Sequence, residues 1–328
     1  MFQSFPHRAR RAVVGLSLTM LASTLTACGS TDEATTAPVA QTITQTAAAT
    51  PQLSTLVTAL QAAQLTTTLN GTGPFTVFAP VNSAFSALPA DVLQRLLETG
   101  NRAILTKVLT FHVVPGRLTA SQLQNGQTLT TVEGTTLPVT VANGVVTVGG
   151  ARVTTADINA SNGVVHLIDG VMLGSLDIVD QAIVRGFSSL VSAVQTANLV
   201  GPLRGGTLTV FAPTNAAFAA IPGGAPSDVA TLTQVLQLHV VGARALSTQL
   251  TNGQQLPTLL SNRSLTVGLV GGGVRITGPR NFASVVAADV VAKNGVIHVI
   301  DNVLLPAPAQ QTITQTAVAT AQLSTLVT

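Results

Sequence analysis

The 328-residue sequence has little charge and few of the aromatic side chains that bind sugars or nucleic acids. Only 8% of its residues are charged, and it contains no tryptophan, no tyrosine and ten phenylalanines. Three of the fifteen basic residues lie within the first eleven positions, and the rest of the chain carries twelve basic and twelve acidic residues. A chain without net charge has no overall field to attract phosphate backbones. We therefore expect no nucleic-acid partner.

The single cysteine, Cys28, excludes an intramolecular disulfide and a cysteine-based metal site. It follows a basic stretch and the apolar run 12–27, which together are typical of a secretory signal. The stretch 25–28, Leu-Thr-Ala-Cys, resembles the bacterial lipobox, whose cysteine is lipidated. We expect a lipoprotein signal peptide over 1–27, a membrane anchor at Cys28, and export to the outer membrane or cell surface. An ordinary secretory signal with an incidental cysteine is the alternative.

A tether and repeated blocks follow the signal. Residues 28–41 are rich in serine, threonine and alanine and predict a flexible tether. Residues 75–85 recur as 208–218 with eight of eleven positions identical, and residues 163–173 recur as 295–305 with seven of eleven identical. Offsets of 133 and 132 residues suit whole domains better than the short units of a solenoid.

The repeats predict two tandem domains, over 42–174 and 175–307. In each, the first half has the apolar spacing of amphipathic helices, as in 53–65 and 92–109. The second half has valine- and threonine-rich runs divided by Asn-Gly pairs, which favour tight hairpin turns. The pairs lie at 125–126, 143–144, 162–163, 252–253 and 294–295. Helices followed by hairpins predict an α+β fold.

Three blocks carry a resemblance to a known family. They are Thr-Val-Phe-Ala-Pro-x-Asn-x-Ala-Phe at 76–85 and 209–218, Phe-His-Val-Val-Pro-Gly at 111–116, and Gly-Val-Ile-His-Val-Ile-Asp-x-Val-Leu at 295–304. They resemble the fasciclin domain, twice over. The resemblance implies two tandem domains, each a β-wedge of two sheets with a helical cap, as in extracellular adhesion and matrix proteins. The second repeat has six fewer residues between its phenylalanine and its first histidine, so we expect a trimmed cap there.

Four histidines occupy equivalent places in the two repeats: His112 with His239, and His166 with His298. His166 lies in an apolar run that is typical of a strand buried on both faces. Asp169 follows it by three residues, and an odd separation along a strand puts two side chains on opposite faces. We therefore expect the four histidines to be part of the structural core, with no catalytic residue, metal or cofactor.

Two asparagines, Asn82 and Asn215, follow Phe-Ala-Pro-x and precede small, phenylalanine-containing segments. Asparagine after a proline-fixed turn is typical of a helix N-cap. The expected role is such a cap or turn. A contact with a ligand or partner is the alternative for both residues.

Two acidic-apolar pairs are candidate interaction residues. By the resemblance, Asp157-Ile158 and Asp289-Val290 stand where animal fasciclin-domain proteins have the Asp-Ile pair to which integrin binding is ascribed. The pair is complete in the first repeat and altered in the second. A structural role at the end of a strand is the interpretation that we favour.

The C-terminal residues repeat an earlier segment. Residues 311–328 match residues 41–58 at sixteen of eighteen positions. We expect 308–328 to be the start of a third repeat, and two possibilities stay open. It is part of a longer, truncated array, or it is a swap segment that mediates head-to-tail self-association.

These features predict a non-enzymatic adhesion or interaction lipoprotein of the cell envelope that presents two fasciclin-like domains outside the cytoplasm. Its protein or matrix partner is not identified by the sequence. The alternative is a carrier of an apolar small molecule, a carotenoid or a lipid. Some fasciclin-domain proteins bind carotenoids, and a chain with a mean hydropathy of +0.49 has enough apolar residues to line a pocket between cap and sheet.

Overall fold

The computed structural model describes residues 40–307, which form two consecutive units, domain 1 and domain 2. The expected signal peptide, most of the tether, Cys28 and residues 308–328 lie outside the described residues. Within 40–307, no helix has both the length and the apolar composition that a membrane crossing requires.

Domain 1 begins with helices and ends with strands. The helices are α1 (Ile43–Ala49), α2 (Ser54–Ala62), α3 (Thr66–Leu69), α4 (Asn82–Ser86), α5 (Ala90–Leu97) and α6 (Arg102–Phe111), with 3₁₀ turns at Pro51–Leu53, Thr99–Asn101 and Ala120–Gln122. The strands are β1 (Phe75–Pro80), β2 (Val113–Pro115), β3 (Thr128–Thr130), β4 (Thr136–Ala142), β5 (Val145–Val148), β6 (Ala151–Ala160) and β7 (Gly163–Ile168).

Domain 2 repeats this order with fewer helices. The helices are α7 (Ile178–Val184), α8 (Ser188–Thr196), α9 (Val200–Arg204), α10 (Asn215–Ala219) and α11 (Val229–Leu238), with a 3₁₀ turn at Ser247–Gln249. The strands are β8 (Leu208–Pro213), β9 (Val240–Val241), β10 (Gln255–Pro257), β11 (Ser264–Val270), β12 (Gly273–Thr277), β13 (Phe282–Ala292) and β14 (Gly295–Ile300). The predicted trimming of the cap corresponds to the absence of a counterpart of α5 between α10 and α11.

The seven strands of each domain form one hydrogen-bonded sheet that nearly closes on itself. In domain 1 the order is β2-β1-β7-β6-β5-β4-β3, with β1 and β7 parallel and the other neighbours antiparallel. The two ends of the order meet where the Val132 N–H donates to the Val113 carbonyl oxygen at 2.8 Å. Domain 2 has the equivalent order, and its Leu259 N–H donates to Val240 O at 2.8 Å. The predicted α+β class is confirmed, and the two sheets expected of the wedge are joined in one strand order.

In each domain the sheet lies between two apolar cores. In domain 1 the helices pack on one face around Leu53, Leu96 and Val165, and the strands enclose a second core that contains Phe78 and Ile168. Because β7 has a core on both faces, all six of its residues are buried. Its continuous apolar sequence, rather than an alternating one, follows from this position.

The Asn-Gly pairs have more than one role. Asn143-Gly144 forms the predicted two-residue turn between β4 and β5, with φ angles of 52° and 75°. At Asn162-Gly163 the prediction is wrong: a hairpin is present, but the pair does not form the centre of its turn. Ser161 and Asn162 form the loop, and Gly163 is the first residue of β7.

The Asn162 side chain joins the hairpin to the first helices of domain 1. Its Oδ1 accepts from the Ile43 N–H at 3.0 Å, and its Nδ2 donates to the carbonyls of Leu69 and Gly71 at 2.7 and 2.9 Å. In domain 2, Asn294 makes two of these bonds: its Oδ1 accepts from the Ile178 N–H at 3.0 Å and its Nδ2 donates to Leu203 O at 2.8 Å. A buried amide with one acceptor and two donors in use holds the helices in a fixed register on the sheet.

The two domains share an apolar junction built on α7. Helix α7 belongs to domain 2 by its place in the repeat, yet Val184 packs in the helix-side core of domain 1 together with Leu176. Ile183 contacts the helix-side cores of both domains. The Lys293 N–H of domain 2 also donates to the Leu176 carbonyl at 2.8 Å. The junction is therefore continuous packing rather than a loose linker.

The ion pairs of residues 40–307 all lie at this junction. Asp180 on α7 is 1% exposed and binds Lys107 of domain 1 at 2.6 Å and Arg204 of domain 2 at 2.8 Å. Arg204 also binds Asp177, and Lys293 pairs with Glu133 of domain 1 at 3.3 Å. In a chain with so little charge, two of the four ion pairs of residues 40–307 join domain 1 to domain 2, and the other two hold Arg204 against α7.

We expect Asp180→Asn to loosen this junction. The substitution leaves Lys107 and Arg204 without their buried carboxylate, although both cations are partly exposed and can be rehydrated. The expected loss is about 2 to 3 kcal/mol of unfolding free energy, below the range for a fully buried pair. Urea denaturation with far-UV detection measures it.

The matched control is Lys293→Met, which removes the more exposed junction pair with Glu133. An exposed ion pair contributes less than about 1 kcal/mol, so this variant should unfold close to the unmodified chain. Equal losses for Asp180→Asn and Lys293→Met would contradict the assignment of Asp180 as the central charge of the junction.

Candidate functional site

His112 and His239 lie at the ends of α6 and α11 and are buried. His112 Nδ1 donates to Val108 O at 2.7 Å, and its Nε2 accepts from the Met172 N–H at 3.1 Å. His239 repeats both bonds in domain 2. Burial lowers the pKa of each ring to about 4, so both are neutral at pH 7. With both nitrogens engaged, neither ring is placed for proton transfer to a substrate.

His166 and His298 lie in the central strands β7 and β14 and also have both nitrogens engaged. His166 Nε2 donates to Leu118 O at 2.8 Å, and Nδ1 accepts from the Asp157 N–H at 3.2 Å. The ring stacks on Phe78 at a centroid distance of 5.4 Å. His298 has the equivalent contacts. These rings connect the central strand to a loop and to the neighbouring strand.

The structure places Asp157 and Asp289 inside strands β6 and β13, not at strand ends, and the strand-end interpretation is therefore wrong. Each lies where the pairing register shifts, with φ of 60° and 57°. Such a bulge turns the backbone so that the Asp N–H faces the histidine of the next strand. Ile158 packs against the helix-side core and Val290 is buried in it. The apolar member of each pair is thus directed into the domain.

Ser247, Asp289 and His298 lie together without forming a catalytic relay. The Ser247 hydroxyl donates to the Asp289 carboxylate, whereas His298 accepts from the Asp289 main-chain N–H at 3.4 Å and donates to Ala245 O. Burial raises the pKa of Asp289, but the Ser247 hydrogen bonds and His298 outweigh this and hold the pKa below its usual value. The His298 ring does not contact the serine, so the Ser–His hydrogen bond of a catalytic triad is missing here. Domain 1 has Ala120 in place of the serine.

Asn82 and Asn215 do not cap their own helices. They are the first residues of α4 and α10, after Val81 and Thr214 in the N-cap positions. Asn82 Oδ1 instead accepts from the Thr55 N–H at 3.0 Å, in the first turn of α2, and Asn215 repeats this on α8. The prediction that each asparagine caps the helix after it is therefore wrong: the side chain accepts from a helix earlier in the chain, which local sequence patterns do not indicate.

No group of three or more His, Cys, Asp or Glu side chains within residues 40–307 could hold a metal ion. The enclosed apolar cavities there are small. The one in domain 2, between α7, α8 and the sheet, measures about 30 Å³, and its counterpart in domain 1 about 10 Å³. A site for an organic ligand typically needs roughly 300 to 1,000 Å³.

The exposed apolar side chains are concentrated on domain 2. Of the eight large apolar side chains that are exposed in residues 40–307, seven belong to domain 2. They are Val229, Leu259, Leu269, Val270, Phe282, Val286 and Val291, against Val132 in domain 1. Apolar side chains scattered singly are normal on a protein surface, so only those that lie side by side are candidates for an interaction site.

Two of these side chains flank an open groove of about 400 Å³, which we call the β11–β13 groove. Leu269 and Val286 are 49% and 59% exposed, and Leu250, Val274 and Val285 complete its apolar lining. None of the described residues that line it is charged.

The β11–β13 groove differs between the domains. The strand pairing aligns Val286 with Thr154, and the Asn252 and Asn125 side-chain bonds align Leu269 with Val141. Val141 is partly buried in domain 1. Domain 2 therefore has an exposed valine where domain 1 has a threonine, and an exposed leucine where domain 1 has a partly buried valine.

The comparisons with known proteins agree with the fold. The sequence model of the fasciclin domain matches residues 51–174 and 185–306. Protein sll1483 of Synechocystis sp. is 49% identical over 134 residues, which is 41% of this chain and 74% of that protein. Transforming growth factor-beta-induced protein ig-h3 of Sus scrofa is 36% identical over 251 residues, 74% of this chain; the chain spans about a third (36%) of its length.

A solved structure was also matched, a FAS1 domain pair from the insect cell adhesion molecule fasciclin I. It is 21% identical, covers 75% of this chain and 94% of the domain pair, and has a TM-score of 0.38. The assignment does not depend on this weaker likeness, because the fasciclin-domain matches alone cover most of the chain. The chain belongs to the fasciclin-domain family.

Proposed function

We propose that the protein is a non-enzymatic adhesion or interaction protein of the cell envelope, held to the membrane by lipid at Cys28. The observation that carries this proposal is the exposed apolar, uncharged surface of domain 2, centred on Leu269 and Val286. Burial of such a surface against a partner is favourable at about 25 cal/mol per Å² of apolar area. Membership of the fasciclin-domain family, which includes extracellular adhesion proteins, supports the same function.

The histidines support a scaffold role rather than catalysis. In each domain the imidazole nitrogens bond to main-chain groups, as His112 does with Val108 and Met172. The rings thereby join helix to loop and strand to strand. The candidate interaction residues Asp157 and Asp289 serve the same framework, because their carboxylates accept main-chain N–H groups of Ala120 and Ser247.

Carriage of a carotenoid or lipid is less well supported. The cavity of domain 2 measures about 30 Å³, far below the roughly 300 to 1,000 Å³ of an organic-ligand site. An apolar ligand of many carbons would require the helices to separate from the sheet. The surface of domain 2 is therefore the better candidate for function.

Adhesion by the β11–β13 groove is tested with cells that display the full chain, by counting cell aggregates. We expect the double substitution Leu269→Thr with Val286→Thr to reduce aggregation several-fold, because both changes replace apolar contact area by hydroxyls. The control is Val132→Thr, which alters the exposed apolar side chain of domain 1 and should leave aggregation unchanged.

Salt gives a second readout of the same proposal. Contacts of an uncharged surface are not screened, so aggregation should change less than about two-fold between low and physiological ionic strength. Aggregation that collapses over this range, or that is unaffected by the double substitution, would reject the groove as the adhesive surface.

The membrane anchor is tested separately. Mass spectrometry of the protein from its own membrane should show acyl chains on Cys28, and Cys28→Ser should release the chain into the soluble fraction. Two or more acyl chains anchor stably, since each buried methylene contributes about 0.8 kcal/mol. Protein from that membrane with no acyl mass on Cys28 would refute lipid anchoring without affecting the adhesion proposal.

A further inference from the structure

The helical segment 41–58 covers a defined docking site on domain 1. Ile43, Ala47, Leu53 and Leu56 are buried in the helix-side core. The segment comprises α1, a 3₁₀ turn and the start of α2. Its apolar contacts with the sheet are thus made by four side chains at positions fixed by the helices.

The hydrogen bonds of this docking site use main-chain groups of the segment. The Ile43 N–H donates to Asn162 Oδ1 and the Thr55 N–H to Asn82 Oδ1, both at 3.0 Å. Asn82 Nδ2 in turn donates to Pro51 O at 3.0 Å. Any chain with the same backbone path and the same apolar residues could therefore form these bonds.

Residues 311–328 repeat this segment, and every buried apolar position of the segment is identical in the copy. The two differences are Val318 for Ala48 and Ala321 for Pro51, and both Ala48 and Pro51 are exposed in domain 1. Each of the four buried positions has its identical counterpart. These are Ile313, Ala317, Leu323 and Leu326.

The copy fits the docking site of domain 1 and not that of domain 2. In domain 2 the corresponding helix carries Asp180, which pairs with Lys107 and Arg204. Residues 311–328 have Gln315 at this place, as domain 1 has Gln45. Docked in domain 2, the copy would leave the two cations without their buried carboxylate.

We propose that residues 311–328 dock on domain 1 of a second copy of the chain, in place of that copy's residues 41–58. The contact is heterologous, so it joins copies head to tail into rings or open chains. The docked contacts are the same for both segments. Which segment occupies the docking site therefore depends on two concentrations. One is the concentration of neighbouring chains, and the other is the effective concentration of residues 41–58, which are covalently attached to the site.

A mixing experiment with chains that comprise residues 1–328 tests the proposal. The acceptor carries Ile43→Asp and Leu53→Asp, which disable its own segment, together with Ile313→Asp and Leu323→Asp, which disable its copy. The donor is the unmodified chain. We expect a complex with the mass of two chains by light scattering, and recovery of acceptor thermal stability on addition of donor.

The matched donors decide the result. A donor with Ile313→Asp and Leu323→Asp should bind at least about 100-fold more weakly, because it would bury two unpaired carboxylates. A donor with Val318→Ala and Ala321→Pro should bind as the unmodified chain does. Equal binding by all three donors, or no complex with any, would overturn the proposal.

Two further variants separate docking between chains from misfolding of the acceptor and from docking within one chain. If the acceptor does not fold, Ile43→Ala with Leu53→Ala weakens the resident segment more mildly, and the same donor dependence is expected. A chain with Ile43→Asp and Leu53→Asp but an intact copy should form oligomers. If it instead stays monomeric while regaining stability, the copy docks within its own chain and docking on a second copy is refuted.

Discussion

Gly163→Ala is expected to unfold domain 1. A Cβ at this position would lie 2.0 Å from the Phe75 carbonyl oxygen and 2.9 Å from the Ile43 side chain. Phe75 and Gly163 are partners in the parallel pair β1–β7, so relief of the clash requires separation of the two central strands. The expected loss is more than about 4 kcal/mol of unfolding free energy, in the range that marks a failure of core geometry.

Hydrogen exchange shows which domain is affected. In Gly163→Ala we expect the amides of β4 to lose protection, whereas those of β11 in domain 2 keep more of theirs. Gly295→Ala should give the reverse, because its Cβ would lie 2.0 Å from Leu208 O. Gly100→Ala is the control: no neighbouring atom lies within 4 Å, and its stability should be close to that of the unmodified chain. A folded, protected domain 1 in Gly163→Ala would contradict the strand pairing.

Acid should destabilise both domains well above the pH at which ordinary carboxylates titrate. His112 and His239 have a pKa of about 4 when folded because burial disfavours their charged form, against 6.5 in the unfolded chain. The free energy of unfolding that the two neutral rings contribute is fully present above pH 6.5. It is lost as the pH falls towards 4, because the unfolded chain takes up the protons first. The expected loss by pH 4.5 is about 2 to 3 kcal/mol per domain.

Urea denaturation at pH 7 and at pH 4.5 measures this loss, and His112→Gln should remove about half of the pH dependence. Asp228 and Asp289, whose pKa values lie below the usual range, add to the loss only below about pH 4. Stability that is independent of pH between 7 and 4.5, or a titration of His112 or His239 near 6.5 in the folded protein, would show that these two rings are not held as described.

Much of the fold follows from patterns that the sequence repeats. The apolar spacing around Leu56 and Leu105 predicted the helices, and the continuous apolar run around His166 predicted a strand buried on both faces. The helices and the buried strand could be predicted because they depend on local sequence or on its periodicity. The duplicated blocks predicted the number of domains.

The details that depend on distant contacts did not follow. Nothing local indicates that Asn82 caps a helix about 27 residues earlier, or that Asp157 takes a positive φ to face a histidine on the next strand. The role of Asp180 could not be predicted from the sequence, because it depends on the packing of two domains on one helix. One signal was present: Asn162 and Asn294 occupy the same place in both repeats, each followed by glycine and an apolar run.

The amide of Asn162 is also a site of slow deamidation. Asparagine before glycine is the sequence most prone to slow hydrolysis to a carboxylate. A carboxylate has no N–H to donate, so its oxygens would face the carbonyls of Leu69 and Gly71, which now accept from Nδ2. Ageing of this one side chain would repel the first helices from the sheet.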